Sequence, residues 1–138
     1  MKLGIIIITH GNIAIESLNT LKAMLGDIKK IDAFSVDITY NIGEIQENLE
    51  KKIKSFIKSE GKVIIFTDIF GGTPSNLSFG FLKKNKVEVV TGFNLPMLIK
   101  TITVREYEED MELSELSSII LEYGKKNIHI ASNLVSER

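Results

Sequence analysis

Four consecutive isoleucines, Ile5 to Ile8, stand near the start of the 138-residue chain and constrain its fold more than any other feature. Side chains of a strand point alternately to the two faces of a sheet, so a wholly apolar run is typical of a central parallel strand that is covered on both faces. The run ends in Thr9, His10 and Gly11. Because glycine allows an immediate turn, the pattern predicts that a buried strand presents His10 at an open edge. His10 is then either the reactive group of a site or a histidine that only ends the strand.

Length and composition indicate one globular domain over residues 1–138. Hydrophobic residues make up 43% of the chain, and 17 Lys and Arg nearly balance 18 Asp and Glu, for a net charge of -1. This balance gives no sign of the basic surface that nucleic-acid binding needs. The absence of cysteine excludes disulfides and thiolate metal sites. No segment approaches the roughly 20 apolar residues of a membrane span, and the short run after Met1 does not match a signal peptide, so we expect a cytoplasmic protein.

Strand-like and helix-like segments alternate along the chain. Apolar runs predict strands at Leu3 to Thr9, about Ile31 to Ile38, Val63 to Thr67 and Val87 to Val90. Apolar residues at helical spacing predict helices from Ala14 to Leu25, from Ile45 to Ile57, from Pro74, from Pro96 and from Leu113 to Tyr123. Gly26 and Gly61 are predicted to end the first two helices, and Thr73 and Asn94 to cap the third and fourth. This order predicts an α/β fold, an open parallel sheet flanked by helices on both faces.

The end of the chain and the segment before the last predicted helix carry less information. Ile128 to Ala131 alternates apolar and polar residues and is predicted as a short edge strand of undetermined direction. His129 within it is interpreted as a packed or dimer-edge histidine. Five acidic residues between the last two predicted helices are interpreted as a solvated loop rather than a metal site; they are Glu106, Glu108, Glu109, Asp110 and Glu112.

A second strand end is predicted to lie beside His10. Asp68 directly follows the apolar run Val63 to Thr67, and in an open parallel sheet ligands bind beyond the carboxyl ends of the strands. An aspartate there can accept a hydrogen bond from one ring nitrogen of His10, fix the tautomer and leave the other nitrogen as a nucleophile. Taken alone, Asp68 could equally cap the loop that follows it.

The loop after Asp68 has the composition of an anion-binding site. Gly71 and Gly72 let the main chain approach a ligand closely, and the helix predicted to follow offers free amides and a positive dipole end. Thr73 and Ser75 add hydroxyl donors, although the two glycines alone could form no more than a turn. Together with the histidine and the carboxylate, this loop predicts a phosphohistidine site.

Three segments together resemble the mannose-family enzyme IIA of the bacterial phosphoenolpyruvate-dependent sugar phosphotransferase system. They are Thr9-His10-Gly11, Asp68-x-x-Gly71-Gly72-Thr73-Pro74-x-Asn76 and Gly92-x-Asn94-Leu95-Pro96-Met97. The resemblance implies a sheet of order 2-1-3-4, phosphorylation of His10, Asp68 as its hydrogen-bonding partner, and phosphoryl oxygens held by the loop at Gly71, Gly72 and Thr73. The family commonly has serine where this chain has Thr73, and either residue supplies a hydroxyl.

The resemblance also implies what the protein works with. The expected donor of the phosphoryl group is the phosphocarrier protein HPr, the expected acceptor is enzyme IIB, and membrane permease components are indirect partners of a protein peripheral to the transporter. A homodimer is expected in which the C-terminal strand, here Ile128 to Ala131, crosses to the partner. No metal and no cofactor are expected, since the sequence contains neither a P-loop nor an obvious pair of carboxylates for a metal.

Three other classes of protein share parts of the pattern. A small tetrapyrrole metal chelatase can place a His-Gly pair after its first strand but needs further metal ligands, and His129 is the only other histidine. A flavin-binding module has the same alternating architecture, but its phosphate loop normally follows the first strand and is rich in hydroxyl residues. Histidine phosphatases and mutases need an arginine beside the histidine, where this chain has Thr9. The sequence therefore favours a phosphoryl carrier, with the chelatase and the flavin module as alternatives.

Overall fold

The structure, a computed structural model, describes residues 1–37, 39 and 41–135. Within this part of the chain, four parallel strands form one sheet of order β2-β1-β3-β4. The strands are β1 (Gly4–His10), β2 (Ile31–Val36), β3 (Val63–Thr67) and β4 (Val87–Thr91). This arrangement confirms the predicted parallel α/β fold and its 2-1-3-4 strand order.

Helices cover both faces of the sheet. They are α1 (Ile13–Leu25), α2 (Ile42–Glu60), α3 (Thr73–Phe79), α4 (Leu95–Tyr107), α5 (Leu113–Lys126) and α6 (Ala131–Val135). α1, α4 and α5 pack into the core on one face, whereas α2 and α3 pack on the other. Among the described residues, no helix combines the length and the apolar character needed to cross a membrane.

β1 is buried on both faces, as its run of isoleucines predicts. Ile5 and Ile7 belong to the core beneath α1, α4 and α5, while Ile6 and Ile8 belong to the core beneath α2. All four side chains are at most 1% exposed. β1 also lies between β2 and β3, so both of its backbone edges are paired. This central position fixes where β1 ends and therefore where His10 stands.

Most predicted element ends agree with the structure to within a few residues. Gly61 ends α2 in the left-handed conformation at φ 86°, and the Asn94 side chain accepts a hydrogen bond from Met97 N at 3.1 Å as the α4 cap. The predicted cap role of Thr73 is wrong, because Gly72 occupies the N-cap and Thr73 is already helical. β2 ends at Val36, and the Ile38 to which the prediction extended it lies outside the described residues.

The C-terminal segment differs most from its prediction. Residues 128–130 have no regular secondary structure, and α6 begins at Ala131. The predicted edge strand is therefore wrong for the single chain, where its backbone bonds locally: Ile128 N donates to Lys125 O and Asn133 N to Ile130 O. The predicted acidic segment is exposed as expected, although Glu106 belongs to α4.

Candidate functional site

The carboxyl ends of β1 and β3 bring His10 and Asp68 together. Ile8 pairs with Thr67 in the register between the two strands, so the chain leaves the sheet at neighbouring points. Asp68 Oδ2 lies 2.7 Å from His10 Nδ1 and also accepts a hydrogen bond from the backbone N–H of His10 at 3.1 Å. Two hydrogen bonds to one oxygen thus fix both the ring and the backbone of the histidine.

The contact with Asp68 selects one tautomer of His10. A carboxylate oxygen accepts hydrogen bonds, so Nδ1 carries the proton and the lone pair of the neutral ring lies on Nε2. The His10 side chain is 46% exposed and that of Asp68 only 12%. The ring is therefore open to solvent on part of its surface, while the carboxylate that orients it is largely shielded from water.

Two opposed effects set the pKa of Asp68. Burial by itself raises the pKa, but the hydrogen bonds from the His10 side chain and backbone outweigh it and hold the pKa below the ordinary 3.8. Asp68 is therefore ionised near neutral pH. Its other oxygen, Oδ1, is buried without a hydrogen-bond partner among the described residues, so the strong contacts of this carboxylate lie on the His10 side.

Gly71 and Gly72 are required for different geometric reasons. Gly71 has φ 85°, a conformation that side-chain-bearing residues rarely adopt. A Cβ on Gly72 would stand 2.5 Å from Cε1 of His10 and 3.1 Å from Nε2. The main chain of this loop therefore lies against the reactive edge of the ring, where its amides can meet a group bound to Nε2.

The two hydroxyl residues of the loop have different environments. Thr73 is half-buried, and its hydroxyl makes no hydrogen bond to any residue that the structure describes. Ser75 is fully buried; its Oγ lies 2.7 Å from Thr67 Oγ1 and donates to the carbonyl of Ile69. The Ser75 hydroxyl therefore holds the loop from within, and the phosphate contact that the sequence predicts for Ser75 stays a prediction.

Two threonines support the site, and the sequence reasoning gave neither of them a role. Thr9 is fully buried and its Oγ1 accepts a hydrogen bond from Ala14 N at 2.8 Å, which fixes the turn between His10 and α1. Thr67 bonds Ser75 in the equivalent place after β3. Each threonine follows an apolar run and directly precedes His10 or Asp68, and this repeated position is the signal that could have revealed them.

Exposed apolar side chains stand on the segments that follow the carboxyl ends of β1, β2 and β3. We call this set the apolar collar; its members are Ile13 (51% exposed), Ile42 (41%), Ile69 (55%) and Phe70 (78%). The Phe70 ring also contacts that of Phe79, with the centroids 5.8 Å apart. Apolar groups gathered around a reactive histidine are typical of a surface that binds another protein.

The fold and the site define an open-sheet α/β protein with a single histidine, oriented by a carboxylate beside a glycine loop, at the carboxyl edge of its parallel strands. The chain belongs to the EIIA-man family, the mannose-type IIA components of the sugar phosphotransferase system (PTS): the family model, described as PTS system fructose IIA component, matches residues 4–120.

Individual relatives agree with the family assignment. The PTS system mannose-specific EIIAB component of Escherichia coli (strain K12) is 27% identical over 129 residues, which cover 93% of this chain but 39% of that protein. The chain thus spans less than half the length of that relative. The PTS system sorbose-specific EIIA component of Lacticaseibacillus casei is 31% identical over 120 residues, with 85% and 82% coverage. A crystal structure of the PTS IIA protein associated with the fucose utilization operon of Streptococcus pneumoniae superposes with a TM-score of 0.84 at 26% identity, covering 98% and 97%.

Proposed function

We propose that this PTS component carries a phosphoryl group on Nε2 of His10. The observation that supports it most directly is the 2.7 Å contact between Nδ1 and Asp68 Oδ2, which leaves Nε2 as the free nucleophile. Nε2 attacks the phosphorus of a phosphohistidine on HPr; the new N–P bond forms as the bond to the donor imidazole breaks, and that imidazole leaves with the bonding electrons and takes up a proton. Asp68 holds the Nδ1 proton and stabilises the positive charge that develops on the ring.

The loop after Asp68 is proposed to hold the transferred group. Phosphoryl transfer depends mainly on in-line positioning and on stabilising the equatorial oxygens. Backbone amides of Gly71 and Gly72 and the unpaired hydroxyl of Thr73 are the donors for those oxygens. Ser75 keeps the loop in place through Thr67 and Ile69.

The next step in the proposed sequence is transfer to a histidine of enzyme IIB. Donor, carrier and acceptor all hold the group in an N–P bond of similar energy, so the transfers are reversible. The apolar collar is the proposed docking surface for HPr and enzyme IIB in turn, because it follows the carboxyl ends of the strands, as His10 does, and offers 41–78% exposed side chains. We propose a cytoplasmic protein, peripheral to membrane permease components that choose the sugar.

We further propose a homodimer in which the C-terminal segment crosses to the partner. Ile128 and Ile130 are 72% and 68% exposed in the single chain, and β4 is an edge strand of the sheet. A shallow cleft of about 290 Å³ lies along β4 and α5 and includes Val90 and Leu121. An edge strand is a template for a further strand.

Sedimentation velocity tests the proposed homodimer. Wild type should be a dimer and Ile130→Asp a folded monomer, whereas a monomeric wild type contradicts the proposal.

Phosphorylation in a defined mixture tests the carrier role. Wild type incubated with phosphoenolpyruvate, enzyme I and HPr should gain one acid-labile phosphate by intact mass, and His10→Ala should gain none. His129→Ala is the matched control and should be phosphorylated like wild type. The proposal fails if wild type gains no phosphate, or if His10→Ala gains it equally well. NMR of the ring nitrogens should then locate the phosphate on Nε2.

A further inference from the structure

We propose that the end of the molecule opposite His10 carries a docking groove for an acidic protein segment with an apolar anchor residue. The groove, of about 410 Å³, lies between the second half of α2 and the loop that joins α3 to β4. We call it the basic groove; its lining residues are Glu50, Ile53, Lys54, Ile57, Lys58, Phe81, Lys83, Lys86 and Val87. The function proposed above assigns no role to this surface.

The floor of the basic groove is apolar and recessed. Ile53 and Val87 are each 5% exposed, and Ile57 and Phe81 are half-buried beside them. Apolar surface that remains open between two elements gains free energy when a partner side chain covers it, by about 25 cal/mol per Å² of area removed from water. The floor therefore suits one leucine or aromatic side chain.

The rim of the groove is strongly basic. Four lysines stand on it against one acid: Lys54 pairs with Glu50 at 3.2 Å, while Lys58, Lys83 and Lys86 are exposed and have no carboxylate partner among the described residues. The whole chain has a net charge of -1, so the excess of lysine in the lining of this groove is local. Carboxylates on both sides of an inserted apolar side chain would complement this rim.

The position of the groove leaves the histidine site free. Val87 begins β4 and pairs with Val63, which begins β3, so the groove lies at the amino ends of the strands. His10 and Asp68 lie at the carboxyl ends. Because a strand advances about 3.3 Å per residue, the five residues of β3 keep the two surfaces apart, and both can be occupied together.

The recessed floor favours a protein segment over a membrane as the occupant. A flat bilayer can meet the lysines, but it cannot reach Ile53 and Val87, which are nearly buried between α2 and the loop that joins α3 to β4. A single side chain that projects from an extended or helical segment can reach them. The partner chemistry is therefore an acidic segment of a protein with one leucine or aromatic residue between its carboxylates.

Fluorescence anisotropy with the full-length protein tests the proposal. The probe is a labelled peptide with a central phenylalanine flanked on each side by two glutamates. We expect saturable binding that weakens as salt is added, and about a tenfold loss of affinity in Lys58→Glu/Lys83→Glu. The matched control Lys125→Glu/Lys126→Glu makes the same charge change on α5 and should bind like wild type. A peptide with serine in place of phenylalanine should also bind about tenfold more weakly.

One kind of contrary result overturns the proposal outright, and two others point to a different occupant. The proposed docking role of the groove is wrong if wild type and Lys58→Glu/Lys83→Glu bind the peptide equally. It is also wrong if the serine peptide binds as tightly as the phenylalanine peptide. Lysine-dependent sedimentation with vesicles rich in phosphatidylglycerol, without peptide binding, indicates a membrane surface instead. Self-association that the double variant abolishes indicates a second copy of the chain. Phosphorylation of His10 in the double variant reports that the fold is intact, so loss of binding is not loss of structure.

Discussion

The two histidines of the chain occupy regions that look alike in sequence and differ in structure. His10 follows a run of isoleucines and His129 lies between Ile128 and Ile130. In the structure His10 ends a strand paired on both sides, and its ring bonds Asp68. His129 is exposed in a segment without regular structure. An imidazole becomes a defined nucleophile only where a fixed backbone and a fixed partner select its tautomer.

The contrast lies in backbone pairing rather than in side-chain type. β1 has a strand on each side and two covered faces, which together fix the direction of the chain at His10. The C-terminal segment has apolar side chains but pairs with no strand among the described residues, so it bonds locally and forms the short α6. Changes near His10 should therefore alter phosphoryl transfer strongly, and changes near His129 should not.

Of the changes near His10, Gly72→Ala should slow phosphoryl transfer most severely. The new Cβ would stand 2.5 Å from Cε1 of His10, so the ring must move, and a displacement of about 1 Å can cost about 100-fold in rate. Rapid-quench measurement of transfer from phospho-HPr should show a loss of that size. Gly80→Ala is the control: Gly80 has φ -63° and its nearest neighbour would be 3.7 Å away. Unchanged transfer in Gly72→Ala would contradict the close packing of ring and loop.

Asp68→Asn should slow transfer by about 10- to 100-fold, the range for groups that orient a reactive ligand, with phosphorylation still detectable. The amide can donate to Nδ1 as well as accept from it, so the ring is no longer held in one tautomer. Nitrogen-15 NMR of His10 should report mixed tautomers. The control is Asp110→Asn, which alters a 71% exposed carboxylate paired with Lys62. Wild-type rates in Asp68→Asn would remove the orienting role of the carboxylate.

Ser75→Ala tests whether the buried hydroxyl holds the loop. Thr67 Oγ1 and the Ile69 carbonyl would lose their partner, which costs about 1–3 kcal/mol in the free energy of unfolding. Urea denaturation should show this loss, together with a smaller reduction in transfer rate than Gly72→Ala produces. Ser118→Ala, at an exposed site on α5, should stay within about 0.5 kcal/mol of wild type. Equal stability of the two variants would contradict the role given to Ser75.

The parts of the structure that depend on local pattern could be predicted from the sequence. The strands, the main helices and the position of His10 opposite Asp68 follow from apolar periodicity and from where each run ends. Thr9 and Ser75 show a limit of prediction from sequence, because composition does not tell which backbone group a buried hydroxyl reaches. The segment at Ile128 shows another limit, since whether it forms a strand depends on the edge that it meets. The basic groove joins residues of α2 to residues after α3, and only the fold brings these together.

The smallest expected effect is on the pH dependence of stability, and it again separates the two histidines. Since the pKa of Asp68 in the folded protein lies below 3.8, its ionised form contributes stability that is fully present above the unfolded pKa and is lost as the pH falls through the folded value. Urea denaturation should therefore show wild type more stable than Asp68→Asn at pH 5 to 6, with a difference that narrows steadily below about pH 4. His129→Ala, which leaves the Asp68 contact intact, should follow the wild-type curve. A stability difference between wild type and Asp68→Asn that stays constant across this pH range would mean that the bonds to His10 do not lower the pKa of Asp68.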